Sequence, residues 1–150
     1  MVCFRALNID RDWAWVHERA NPVLCENTNG IVAERDGKPI AAAIFDQWTA
    51  SSCQVHICMD DPFVIRHGFF REVCTYVFVT CGRKCIIGLT PADNERAVRF
   101  NRHVGMREIY RIEDAIDEGI DYIVVRMDRD ECRWIEQERN LGKEVRAKAA

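Results

Sequence analysis

Eight cysteines, four histidines and a cluster of acids are the side chains in this 150-residue chain whose types could do chemistry. Structural zinc sites commonly hold their thiols in CxxC pairs, and the closest spacings here are Cys53 to Cys58 and Cys81 to Cys85. The cysteines here stand at positions 3, 25, 53, 58, 74, 81, 85 and 132, and no CxxC occurs. Most lie in apolar runs such as Val73-Cys74 and Cys85-Ile86-Ile87, where a free cysteine acts as a small hydrophobe. They are expected in the core, with no metal site and no disulfide framework. Glu113, Asp114, Asp117, Glu118 and Asp121 match a calcium loop in acidity only; the EF-hand order and its terminal Glu are missing, which reads as a solvated loop. His56 lies in a strand-like run, and a histidine can accept a proton near neutrality. The plain alternative for it is a half-exposed strand residue. His17 falls on an apolar helix stripe and reads as core. Trp13 and Trp15, two apart on that helix, cannot face one another, so one ring is expected inward and one at the surface.

The elements that would position these groups follow from hydrophobic period and punctuation. Residues 2–7 read as a strand, then Asp10 as the N-cap of a helix carrying Trp13, Val16, His17 and Ala20, ended by Asn21-Pro22. Residues 31–35 and 40–47 flank Asp36-Gly37, a hairpin signal, and 54–59 follow as a further strand. Phe70, Val73, Cys74, Val77, Phe78 and Cys81 then recur at helical spacing, with Gly82 as the stop. Residues 84–89 read as a short buried strand. A helix from Asp93-Asn94 carries Ala97, Phe100 and Val104 to Gly105, and 106–112 and 121–127 read as two strands. Asp128, with Glu131 three residues on, has the pattern of a capping box for a last helix through Trp134 and Ile135.

The order is one mixed-sheet domain of seven strands, with no repeat or linker. Composition agrees: 48% apolar, 30% charged and a net charge of −3 describe a globular domain and give no concentrated basic face for nucleic acid. No apolar run nears the ~20 residues that span a bilayer. The first residues lack signal-peptide character, so a cytoplasmic protein is expected.

Across residues 2–127 this order resembles the GNAT class of acyl-CoA-dependent N-acetyltransferases. The sharpest match is the stretch Pro91-Ala92-Asp93-Asn94-Glu95-Arg96-Ala97 through Val104-Gly105-Met106. It is similar to the family's Asn, two residues, Ala, then a helix ending in a hydrophobe-Gly-Phe step, with Met106 in place of the Phe. A narrower resemblance, to small acetyltransferase-like proteins of tailed bacteriophages, is carried by Phe70-Arg71-Glu72-Val73, Tyr76-Val77-Phe78, Pro91-Ala92-Asp93-Asn94 and the ending Arg126-Met127 to Glu131-Cys132-Arg133-Trp134.

The resemblance implies an α+β fold: a mixed, mostly antiparallel sheet of about seven strands flanked by helices, with a C-terminal helix. The domain would span 1–139 and a polar tail 140–150. It also implies acetyl-CoA as co-substrate, inserted where two strands splay apart. Ile57, Cys58 and Met59 would hold the pantetheine, and Asn94 would contact the cofactor at the next helix start. The family's phosphate loop reads Arg or Gln, two residues, Gly, one residue, then Gly or Ala. Here Arg66-His67-Gly68-Phe69-Phe70-Arg71 has one glycine, which leaves Arg66, His67 and Arg71 to bind phosphate by side chain. The family's acid, a Tyr four residues before the helix-end Gly, is Asn101 here, which can hydrogen-bond a sulfur but not protonate it. His56 is the leading base, with Asp46 and Glu26 behind it. The activity implied is acetyl transfer to a primary amine of a small molecule or protein. The second reading is a GNAT-like phage virion or assembly protein with reduced or no catalysis, residing in the host cytoplasm or the particle among other virion proteins. Either leaves room for a homo-oligomer and calls for neither nucleic acid nor membrane.

Overall fold

The first apolar run forms β1 (Val2–Ala6), and the helix after it, α1 (Ile9–Ala20), buries Val16. The structure is a computed structural model and describes residues 1–135. Asn8, not Asp10, caps α1: its side chain accepts from the Arg11 N–H at 3.0 Å. Asp10 falls in the first turn instead, where a carboxylate suits the helix dipole. The buried stripe runs through Asp12 and Val16, so His17 is exposed and not part of the core, and both Trp13 and Trp15 are half-buried. Asp12 is held by Arg5, whose Nη1 and Nη2 donate to the two carboxylate oxygens at 2.6 and 2.8 Å while Nε donates to Glu34 at 2.7 Å.

β2 (Asn29–Arg35) and β3 (Lys38–Asp46) make the expected hairpin about Asp36 and Gly37. Both turn residues have positive φ, 52° and 75°, which matches the twist of the flanking strands. β4 (Ser52–Met59) pairs antiparallel with β3, setting Ile44 opposite His56 and Asp46 opposite Gln54. A 3-10 turn, Pro62–His67, leads to α2 (Phe69–Cys74), which continues as a wider π-wound stretch, Thr75–Thr80. There the Cys81 N–H reaches the Tyr76 carbonyl, five residues back, at 2.8 Å. The stripe Phe70, Val73, Cys74, Val77 and Phe78 is buried as its spacing requires. The β-branched Thr75, Val77, Val79 and Thr80, which crowd an α-helix, all fall in the wider winding.

β5 (Cys85–Pro91), α3 (Glu95–Val104), β6 (Arg107–Asp117) and β7 (Ile120–Asp128) complete the sheet, whose order is β1-β2-β3-β4-β5-β7-β6. Every pairing is antiparallel except β4 with β5. α1 covers one face, packing Val16 with Val32, Ala42, Ile44 and Cys58. α2, α3 and the chain up to Ile135 cover the other face in a larger core. The acids expected in a loop lie instead on two strands that run on to a tight turn at Glu118 and Gly119. Five cysteines (53, 58, 74, 85 and 132) are buried and Cys3 is exposed.

Where a helix from Asp128 was expected there are two 3-10 turns, Arg129–Glu131 and Arg133–Ile135. The Asp128 carboxylate caps nothing, because Arg107 and Arg126 take it. Residues beyond Ile135, including the expected continuation of that helix and the 139/140 boundary, lie outside the described residues. Among the described residues no helix is long and apolar enough to cross a membrane, and no three metal-ligating side chains converge.

Candidate active site

β4 and β5 pair over three residues only, 52–54 against 85–87. Beyond that both strands continue but diverge, and a cleft of about 670 Å³ opens between them. β3 still pairs with β4 as far as Met59, and β7 with β5 as far as Pro91. Each strand therefore keeps one satisfied edge and turns an edge without strand partner towards the gap. Such backbone groups want hydrogen-bond partners, and an extended chain carrying amides could supply them.

The gap passes through the sheet, and the two faces bring different side chains to it. Cys58 belongs to the α1 core, and His56, two residues before it, shares that face. Its Nε2 lies 2.9 Å from Oδ2 of Asp46, a diagonal neighbour on β3. With Asp46 as acceptor, Nε2 carries the ring proton and Nδ1 is the nitrogen left to take another. Asp46 is only 4% exposed, and its Oδ1 has no partner among the described residues. On the opposite face, α3 packs into the larger core through Phe100 and Val104. α3 is capped by Asn94, whose side chain accepts from the Ala97 N–H at 3.1 Å, and it stops at Gly105 with φ 95°. Asn101 projects from it, and its Nδ2 donates to Thr90 Oγ1 of β5 at 2.9 Å, which leaves its second amide hydrogen unassigned. Burial pushes the Cys58 thiol up to about 11, so it stays a thiol at neutral pH and is a poor nucleophile.

Of the residues singled out in the sequence, the cleft gathers His56, Ile57, Cys58, Met59, Asn94 and Asn101. Arg66, His67, Gly68 and Arg71 are not part of its lining. The 3-10 turn spends its N–H groups internally: Phe63 donates to Asp61 Oδ1, Val64 to the Asp61 carbonyl, and Gly68 to the Ile65 carbonyl. The Arg66 guanidinium lies over the Phe63 ring, 5.1 Å from its centre. The segment 66–71 thus offers phosphate one glycine and the head of α2, and the open β4 edge fits an amide-bearing limb. Asp46 entered the sequence reading as a rival base; its place as the partner of His56 follows from strand register, which a fixed hairpin count across residues 47–51 could have supplied. Arg96 and Arg19, both in the lining, were missed. Arg19 grips Asp60 through Nε and Nη2 at 2.8 and 2.9 Å and stacks on Trp15, 4.2 Å from the ring centre. Arg96 was legible as a cation in the first turn of a helix that begins at the cleft.

A seven-stranded, mostly antiparallel sheet, split between its fourth and fifth strands and flanked by helices, is the GNAT acetyltransferase fold. Its solved likenesses include the spermidine/spermine N-acetyltransferase SpeG of Vibrio cholerae, in a variant form, with a TM-score of 0.73 at 12% identity over 91% of this chain and 99% of that one. The same enzyme in complex with CoA and spermine gives 0.70 at 13% identity, over 87% and 96%. A Desulfovibrio desulfuricans protein assigned to the GNAT family gives 0.70 at 15%, over 86% and 99%. At these identities the likeness shows the fold. No protein-family profile matches the sequence, and no curated protein sequence matches it.

Proposed function

We propose that this chain is an acetyl-CoA-dependent N-acetyltransferase acting on a primary amine. The observation that carries the reading is the split in the sheet, flanked by the His56–Asp46 pair on one face and by Asn101 with Thr90 on the other. Acetyl-CoA would supply the acetyl group as a thioester, whose C–S bond breaks as the amine nitrogen forms its bond to the carbonyl carbon. The free edge of β4 at Ile57, Cys58 and Met59 would align the pantetheine limb, with Asn94 at the start of α3. His56 takes the proton lost by the amine, and Asp46 holds the ring in the tautomer that leaves Nδ1 basic. Asn101 can donate a hydrogen bond to the departing sulfur, so the thiolate leaves stabilised and takes its proton from solvent. Cys58, held as a thiol, favours direct transfer over an acetyl-cysteine intermediate.

The acceptor is narrowed by charge. Among the described residues the cleft's ionic lining is Arg19, Arg96 and Asp60, and Arg19 already neutralises Asp60. A polycationic amine gains no free carboxylate there, so the polyamines acted on by SpeG are expected to be poor acceptors, and amines with a neutral or anionic remainder better ones.

A second reading, a non-catalytic virion or assembly component, is favoured by the single glycine of the segment 66–71 and by Asn101 in the position of an acid. Calorimetric titration with acetyl-CoA separates the two. The enzyme reading expects micromolar binding, followed by acetylated product from an amine panel under mass spectrometry. No heat with millimolar acetyl-CoA, together with the protein in purified phage particles, would establish the other.

A further inference from the structure

The cleft continues onto the sheet beside it. α1 packs on β2, β3 and β4 on the face that carries His56, and register fixes which residues of the other half-sheet share that face. Gln54 is paired with Ile87, so two residues further on His56 and Leu89 stand on the same side, across the gap from one another. Pairing with β7 then carries the face from Leu89 and Pro91 to Val124 and Tyr122. The alternate residues Ile86, Ile123, Val125 and Met127 are buried in the larger core behind. Ile87, Leu89, Pro91, Tyr122 and Val124 belong to neither core and are half-buried. Leu89, Pro91 and Tyr122 also line the cleft. Together the five make an apolar shelf that begins at the reacting gap.

Charge stops short of this shelf at both ends. Arg126, next along β7, is held by Asp128 at 2.7 Å, and Arg107 is held by Asp128 and Glu131. Lys84, Arg129 and Asp130 follow at that end. At the cleft end the turn between β6 and β7 holds Glu113, Asp114, Asp117, Glu118 and Asp121 against Arg111. An acceptor that reaches His56 across the shelf lays its body on hydrocarbon, where a charge of either sign loses water without gaining a partner. A carboxylate on that body would also meet the acids of the turn. The geometry points to one acceptor chemistry: a primary monoamine whose body is a flat, uncharged aromatic ring a short alkyl chain from the nitrogen, seated against Tyr122 and Leu89. The inference rests on the proposed acetyl transfer, because it takes His56 to mark the place of the amine nitrogen. Among the neutral and anionic remainders that the cleft's own charge allows, it selects the neutral, aromatic ones and makes Tyr122 a specificity-determining residue.

An amide chemical-shift titration of the full-length protein without acetyl-CoA tests this apart from catalysis. Phenethylamine is expected to shift the amides of Ile87, Leu89, Tyr122 and Val124 and to saturate, with n-propylamine and spermidine at least about tenfold weaker. Tyr122→Ala should weaken phenethylamine by about tenfold and leave n-propylamine within about twofold, while Tyr122→Phe, which keeps the ring, should bind as the parent does. The map on the parent stands whether or not the alanine variant folds. No shift at these amides with millimolar phenethylamine overturns the proposal. So does n-propylamine that binds equally well, or a folded Tyr122→Ala protein that binds phenethylamine like the parent. Calorimetry with acetyl-CoA on the same preparation keeps the two readings apart. Acetyl-CoA bound and the shelf silent sinks this inference alone; the shelf occupied and no heat from acetyl-CoA sinks the acetyl-transfer reading alone.

Discussion

Asp46 decides what His56 can do, because a neutral imidazole has one donor and one acceptor and the carboxylate claims the donor. His56→Gln removes the proposed proton acceptor, and turnover is expected to fall on the order of 10²–10⁴-fold with acetyl-CoA affinity unchanged by calorimetry. Asp46→Asn can offer an N–H to Nε2 and so favour the other tautomer. It should lower kcat in the same direction while melting within a few degrees of the parent. On the proposed function, phosphate recognition is assigned to Arg96, which lines the cleft, ahead of Arg66 and Arg71, which do not. Arg96→Ala should weaken acetyl-CoA binding roughly tenfold, one charge-assisted contact. Arg66→Ala with Arg71→Ala should leave it within about twofold. A reversed result would return the phosphate to the turn after β4.

At the scale of elements, α2 and its π-wound continuation are the main prop of the larger core. Val77 is fully buried there, and Val77→Asp is expected to cost about 4 kcal/mol by placing an unpaired charge in that core, seen as a collapse of the thermal melt. β1 and α1 are joined differently, by Arg5 with Asp12 and Glu34. Burial pushes the Asp12 carboxyl up, but hydrogen bonds from Arg5 and the Asn8 N–H outweigh it and hold the group below its usual range. Arg5 likewise lowers Glu34. Carboxyls depressed in the folded state stabilise it above their unfolded pKa of about 4, and that contribution is lost as pH falls through the folded values. Arg5→Ala should thus lower stability at pH 7 by about 3 kcal/mol, chiefly by stranding buried Asp12, and move the acid-unfolding midpoint to higher pH. Helical and strand periods were legible along the chain because burial imposes them: the stripe from Phe70 to Phe78 and the turn at Asp36-Gly37 both stand where they were read. The cap of α1 was misread because Asn8 and Asp10 both suit a cap and only backbone geometry chooses between them. The last helix was misread because Asp128, an apt cap by spacing, had arginines 21 and 2 residues away competing for it.

At the scale of the molecule, the GNAT resemblance in the sequence agreed with the fold because element order and the Asn94-to-Gly105 helix carry topology. What it could not transmit was the rigid-body placement of the turn at 62–67 or the pairing of His56 with Asp46, which depend on register between strands. On the proposed function, substrate choice would likewise follow from the summed charge around the cleft rather than from any motif.

The three-residue parallel contact between β4 and β5 has a mechanical meaning as well. The strand hydrogen-bond network is two half-sheets, β1 to β4 and β5 to β7, laced along a seam one short ladder long. Amides at residues 52–54 and 85–87 should exchange with deuterium sooner than those of the β2–β3 and β5–β7 ladders, through openings that part the halves without unfolding either. A ligand whose amide chain bonds both lips of the seam acts as a suture. At a hundredfold excess over its Kd, acetyl-CoA would add about 2.7 kcal/mol to global stability and slow exchange most at those rungs, making the molecule behave as a single foldon only while the cofactor is in place.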